Sequence, residues 1–198
     1  VGSEMCIRDS HNCSAISSNN IQGMEELVKY IYSQGHRKIA YIHGQEGSTV
    51  TRDRLASFYR TMDELGLHVS DKYVRTANYL ETKGSAEQTG QLLDLPDPPT
   101  CIIYPDDTSL IGGRNVIIER GMKIPQDISV AGYDGTQISQ ILYPKLTTIK
   151  QNTELIGEEA AIRLVGAIEK PKTTLVERVV IEGNLVPGQS VGMIQVDE

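Results

Sequence analysis

The chain has 198 residues and a formal net charge of −7, with 39% hydrophobic residues, 18 glycines, no tryptophan and one phenylalanine. That length and balance belong to a globular protein large enough to bury a core, and they exclude a disordered or collagen-like chain. No apolar run approaches the ~20 residues of a membrane-spanning helix, and the acidic charge argues against this segment gripping nucleic-acid phosphates by itself.

Residues 1–10 (VGSEMCIRDS) have neither the apolar stretch of a signal peptide nor a helical or strand period. They resemble the conceptual translation of a sequencing adaptor, so residues 1–13 are expected to be a non-native leader and the true amino terminus to be missing. Ser14–Ser18 reads as a short strand that runs into Asn19-Asn20, a good helix cap. Ile21, Met24, Leu27, Val28 and Ile31 then mark one face of a helix. Gly35 stops it, and His36, Arg37 and Lys38 stand where positive charge suits the helix end. Ile39–His43 is a strand and Gly44–Thr51 a polar loop. Leu55, Phe58, Tyr59, Met62 and Leu65 mark the next helix, ended by Gly66. Val74–Tyr79 reads as a strand, Lys83–Leu93 as a weaker helix, and Thr100–Tyr104 as a strand. A helix over Asp107–Arg120 is followed by a strand over Ile128–Tyr133 and a short extended run, Thr147–Lys150. Glu154–Glu169 is a helix and Val176–Ile181 the last strand.

Five β–α steps in succession predict a doubly wound parallel α/β sheet. Its strands are covered on both faces, which suits the runs IAYI, CII and ISVA. In such sheets ligands bind beyond the carboxyl ends of the strands. That rule selects Asn19, Asn20, the Gly44–Thr51 loop with Arg52 and Arg54, Tyr79, Asp106, Asp107, Tyr133 and Asp134. Acids, amides and an arginine grip hydroxyls through paired hydrogen bonds, and an aromatic face packs on the C–H face of a sugar. The set points to a polyol or sugar site. Asp106-Asp107 could also form an acid–base pair, but the second residue of such a pair more often caps the helix that follows. The four histidines are scattered, with no nucleophile beside them. The glycine-rich loop lacks the ending of a phosphate loop. The three cysteines, Cys6, Cys13 and Cys101, have no framework or zinc spacing. No metal, no cofactor and no enzyme activity are expected.

Five segments resemble those of LacI/GalR-type transcriptional repressors. Residues 35–42 (GHRKIAYI) are similar to that family's GHRxIAxI, and Thr51-Arg52-Asp53-Arg54-Leu55 with Phe58 to its RxRLxGF/Y. Pro98-Pro99-Thr100 with Asp106-Asp107 resembles PPTAI…ND, residues 124–134 (IPQDISVAGYD) resemble VPxDISVxGYD, and residues 146–151 match LTTIKQ. The order is the family's, and the match covers residues 14–190.

The resemblance implies a type I periplasmic-binding-protein-like effector domain, mostly its carboxyl-terminal lobe. Residues 14–150 would form that lobe and residues 151–172 part of a largely missing amino-terminal lobe. Residues 173–190 would be a strand returning to the carboxyl-terminal lobe, and 191–198 a tail. The apolar face of Leu155, Ile156, Ile162 and Val165 would then lack most of its cover. The family's effector contacts fall on Arg54, Tyr79, Asp106, Asp134 and Gln151, with Asp106 standing where Asn is usual. Leu110, Ile111 and Leu142 would meet a second copy in a homodimer. The implied protein is a cytoplasmic repressor that senses a small sugar-like effector and touches operator DNA only through residues absent from this chain. The alternative is a solute-binding receptor of a sugar transporter.

Overall fold

The computed structural model describes residues 14–170 and 175–194. The strands are β1 (Ala15–Ser18), β2 (Ile39–His43), β3 (Val74–Thr76), β4 (Cys101–Ile103), β5 (Ser129–Asp134), β6 (Thr147–Lys150), β7 (Arg178–Ile181) and β8 (Asn184–Val186). The helices are α1 (Asn20–Ser33), α2 (Thr49–Glu64), α3 (Thr82–Leu93), α4 (Asp107–Glu119), α5 (Gln137–Ile141) and α6 (Thr153–Glu169), with one 3-10 turn over Asp71–Tyr73.

Six strands form the main sheet in the order β3-β2-β4-β5-β6-β8, parallel except for β8, which runs antiparallel to β6. Side chains alternate between its faces, as the pleat requires. Ile39 and Tyr41, Cys101 and Ile103, Ala131 and Tyr133 face one core with Met24, Leu27, Val28 and Ile31 of α1 and Phe58 and Met62 of α2. Ala40 and Ile42, Ile102, Tyr104 and Val130 face the other with Leu92 of α3 and Leu110 and Ile117 of α4. The sheet is thus doubly wound, as the runs of apolar residues predict. Gly112 is required where α4 meets α3, because a Cβ there would come within 1.9 Å of the Thr82 carbonyl oxygen.

Several boundaries differ from the sequence reading. β3 ends at Thr76 rather than Tyr79, because the Ala77 N–H turns to the His43 carbonyl and the chain then bends into a left-handed residue at Leu80. α2 begins at Thr49, with extended Ser48 at the N-cap position, which shortens the expected loop. α5 and the 3-10 turn were not anticipated, and of the return expected over residues 173–190 only β8 joins the main sheet. Leu110, expected at a dimer contact, is fully buried in the core under α4 and has no surface to offer. Leu142 packs against the same core and Ile111 is half-buried. His36 is not an exposed helix-end charge. It is 1% exposed, and burial holds its pKa below the usual value. Its Nε2–H donates to the Gly192 carbonyl (3.1 Å), leaving Nδ1 to accept from the Thr100 hydroxyl (2.9 Å). Arg37 provides the helix-end charge instead, donating to the Tyr32 carbonyl and lying 3.8 Å above the Tyr32 ring.

β1 does not join the main sheet. It pairs in parallel with β7 in a separate two-stranded sheet, and α6 lies against it. The extended run after Val176 divides accordingly, β7 staying with β1 and β8 returning to the main sheet. The chain therefore passes between the two sheets three times, at Ser18–Asn20, at Lys150–Asn152 and at Ile181–Asn184. The leader expected over residues 1–13 lies outside the described residues.

No residue of α6 is buried, and Ile162, Leu164, Val165 and Ile168 are 58%, 63%, 51% and 71% exposed. A continuous apolar face of this kind associates in water. The chain should self-associate at micromolar concentration, and Ile162→Lys with Ile168→Lys should shift it toward monomer. Size-exclusion chromatography with light scattering tests this, and a monodisperse monomer before substitution is the contrary result.

Candidate functional site

The strand order turns back on itself at β2, with β3 on one side and β4 on the other. The carboxyl ends of the strands around that point form the crevice in which doubly wound sheets bind ligands. Arg54 enters it from α2, where Thr51, Arg54, Phe58, Thr61 and Met62 share the buried face. Its guanidinium is 3% exposed. Nε donates to Asn20 Oδ1 (2.8 Å) and Nη1 to the Pro105 carbonyl (2.9 Å), while Nη2 stands 3.6 Å from Asp134 Oδ1. The Tyr133 ring lies 3.5 Å below the guanidinium carbon. Burial works against this charge, but Tyr133, Asp134, Tyr41 and Tyr79 together more than offset it, and the pKa of Arg54 is raised.

Asp134 ends β5 with a positive φ of 96°, followed by Gly135 at 65°. Burial pushes its carboxyl above the ordinary value, with Arg54 pulling the other way. Gln151 N–H donates to the Asp134 carbonyl, and Gln151 Nε2 donates to Asp134 Oδ1. Gln151 Oε1 in turn accepts from Ser18 Oγ (2.7 Å), and Asn20 Nδ2 donates to the Ser18 carbonyl (3.3 Å). Ser18, Gln151, Asp134, Arg54 and Asn20 thus close a polar ring that joins two of the three crossovers to the strand ends. The third is tied in by the Asn19 N–H, which donates to the Ile181 carbonyl at 2.8 Å.

Tyr79 crosses Gly44 so closely that a Cβ there would lie 2.0 Å from its ring. Its hydroxyl is 2.9 Å from Thr51 Oγ1, and the charges of Arg54 and Asp134 reach its phenol. The structure therefore brings Arg54, Tyr79, Asp134 and Gln151 together. Asp106 lies beside them but is 1% exposed, and donors already occupy both of its oxygens. It is Asp106, not the second residue of the pair, that caps α4.

Asp107 turns away from the crevice. Its Oδ1 accepts from Thr148 Oγ1 (2.7 Å), and its Oδ2 accepts from Thr136 N (2.7 Å) and Thr136 Oγ1 (2.9 Å). It thereby ties α4 to β6 and to the loop after β5. Sequence reasoning weighed this residue as a strand-end ligand contact, as half of an acid–base pair and as a helix cap, and its hydrogen bonds in the structure serve none of these roles. It took Asn20 for a helix cap and a strand-end amide rather than the acceptor for Arg54, and it passed over Ser18, whose part depends on Gln151, 133 positions away. Among the described residues no cluster of His, Cys, Asp and Glu is arranged to hold a metal, and no helix is long and apolar enough to cross a membrane. A separate cavity of about 300 Å³ opens at the opposite end of the sheet, between His36, Asp127 and Met193, away from the convergent polar groups.

Residues 28–191 match the family model of the periplasmic binding protein-like domain. The protein named "Probable HTH-type transcriptional repressor ExuR", from Bacillus subtilis, is 32% identical over 165 residues, which cover 83% of this chain and 49% of that protein. A LacI transcriptional regulator from a Rhodococcus species superposes with a TM-score of 0.85 at 28% identity, covering 94% of this chain and 67% of that one. The transcriptional regulator CelR in complex with cellobiose gives 0.83 at 27% identity, covering 90% and 54%. The chain spans about half the length of the curated relatives it matches.

Burial pushes the Asp107 carboxyl up to about 6. A raised carboxyl favours the folded state most below its unfolded value of ~4, and that contribution is lost as pH rises through about 6. Stability should fall across this window by at most about 3 kcal/mol. Asp107→Asn should flatten that part of the profile, since an amide can accept from Thr136 and donate to Thr148 Oγ1. Urea unfolding between pH 4 and pH 7 is the measurement, and an unchanged slope in the variant would refute the assignment.

Proposed function

Because the chain belongs to the periplasmic-binding-protein-like domain family, in its LacI/GalR branch, we propose that it is the ligand-sensing part of a transcriptional repressor that answers to a small sugar or sugar-like polyol. The observation that carries this is the polar ring at the strand ends. Arg54 presents a fixed fork, Asp134 an acceptor beside it and Tyr79 an aromatic face, and these are the groups that grip vicinal hydroxyls and pack on a sugar's C–H face. Support comes from the cellobiose-bound regulator, whose fold this chain shares.

The same ring links the ligand to Ser18, Asn20 and Gln151 at the crossovers. A ligand that draws on Arg54 and Asp134 alters the contacts that hold those crossovers. Operator affinity would then change by linkage, typically by ~1–3 kcal/mol. Contact with DNA falls to residues outside this acidic chain, and the protein works in the cytoplasm, as a dimer and not as an enzyme. Ile141 and Tyr143, 73% and 80% exposed beside Leu142, add apolar surface for a second copy apart from the face of α6.

Isothermal titration with neutral sugars, cellobiose and D-ribose first, tests the reading. Arg54→Lys keeps the charge but loses the fork, and should weaken binding by roughly 10- to 100-fold while the variant still folds. Equal affinity in the variant, or no heat from any neutral sugar, would count against the site.

A further inference from the structure

Two non-glycine residues among those described have a positive φ, and both stand at the candidate site: Asp134, and Leu80 at 59°. Left-handed backbone is uncommon for a residue such as leucine and persists only where its surroundings enforce it. Burial does not enforce it here, because the Leu80 side chain is 56% exposed. A hydrogen bond does. The Leu80 N–H donates to Asp106 Oδ2 at 2.9 Å.

Asp106 is itself held rigidly. Oδ1 accepts from Ser109 N (2.8 Å), closing the cap of α4, and Oδ2 also accepts from Ser109 Oγ (2.8 Å). Three donors thus converge on two oxygens. A carboxylate satisfies all three, whereas an amide, with a single acceptor oxygen, must turn its NH2 toward either Leu80 N–H or Ser109 N–H. This donor set accounts for aspartate at a position where the family resemblance leads one to expect asparagine. The residue before Leu80 is Tyr79. One side of its loop is anchored by the Ala77 N–H on the His43 carbonyl (2.9 Å), and Asp106 anchors the other.

We propose that Asp106 is a positioning residue rather than a ligand contact: by holding Leu80 in the left-handed conformation it aims the Tyr79 ring across Gly44 and into the crevice beside Arg54. The use of that ring in gripping a sugar rests on the function proposed above, whereas the clamp itself does not.

The test compares the unmodified chain with Asp106→Ser, Leu80→Gly and the pair combined. Serine keeps an acceptor for Ser109 N and so preserves the helix cap, but it cannot also reach Leu80. Asp106→Ser should speed exchange of the Leu80 amide by about tenfold or more and shift the Tyr79 ring resonances in carbon-13 tyrosine spectra. Adding Leu80→Gly should return those resonances toward their original positions, since glycine adopts positive φ without a clamp. Affinity for cellobiose and D-ribose should drop about tenfold in Asp106→Ser and recover in the pair. Tyr79 unmoved in Asp106→Ser, or displaced and not recovered in the pair, would overturn the proposal. Affinity lost with Tyr79 still in place would overturn it too and make Asp106 a direct contact. Displacement and recovery of Tyr79 without sugar binding by any form would uphold the clamp and defeat the sugar reading instead.

Discussion

A guanidinium withdrawn from water organises this end of the molecule. Burying a charge without partners costs far more than a domain's stability margin allows, so the fold has to bring acceptors to it. Arg54 obtains them from Asn20 at the start of α1, from the Pro105 carbonyl after β4 and from Asp134 at the end of β5, with the Tyr133 face beneath. Segments far apart in sequence are thereby fixed to one point. Stability alone does not account for the arrangement, since an apolar side chain of similar volume could fill the same space without the desolvation cost.

Glycine and left-handed backbone complete the crevice. Gly44 lets the Tyr79 ring lie where any side chain would displace it, and Gly132 does the same for Asp107, whose Oδ1 would be 2.3 Å from a Cβ at that position. At both places the sheet's own backbone is the floor on which a polar or aromatic group rests. Gly132 lies within β5 and Gly44 directly after β2, so the strand ends set the floor, while the loop held at Leu80 sets the direction of the Tyr79 ring.

Much of this was legible in the sequence. β2 and β6 have the predicted bounds, β2 because a run covered on both faces is almost wholly apolar, and β6, only TTIK, because it stands within the family-like segment LTTIKQ. The strand-end rule with the family motifs picked out Arg54, Tyr79, Asp134 and Gln151, which the fold does bring together. Other features depend on partners that no local pattern encodes. Leu110 was placed at a dimer contact by the family resemblance, and only the packing under α4 shows that its face is already spent. Asp106 and Asp107 are chemically identical neighbours, yet one meets Leu80 and Ser109 and the other Thr136 and Thr148. β7 and β8 read as one extended run, since a strand's pattern does not say which sheet it will join. His36 carries no sign in the sequence of the Gly192 carbonyl that buries it, 156 positions away.

The triple crossover has a mechanical consequence. A single peptide strap would let the small sheet swivel about the large one in any direction. Two would still allow twisting around each other. Three straps linked to one another, Ser18 to Gln151 and Asn19 to Ile181, resist torsion and shear and leave bending about one axis as the soft motion. Whatever engages the ring is therefore converted into a single coordinate, an angle. Strain applied at the ring can change how far that angle opens, but not the kind of movement it is.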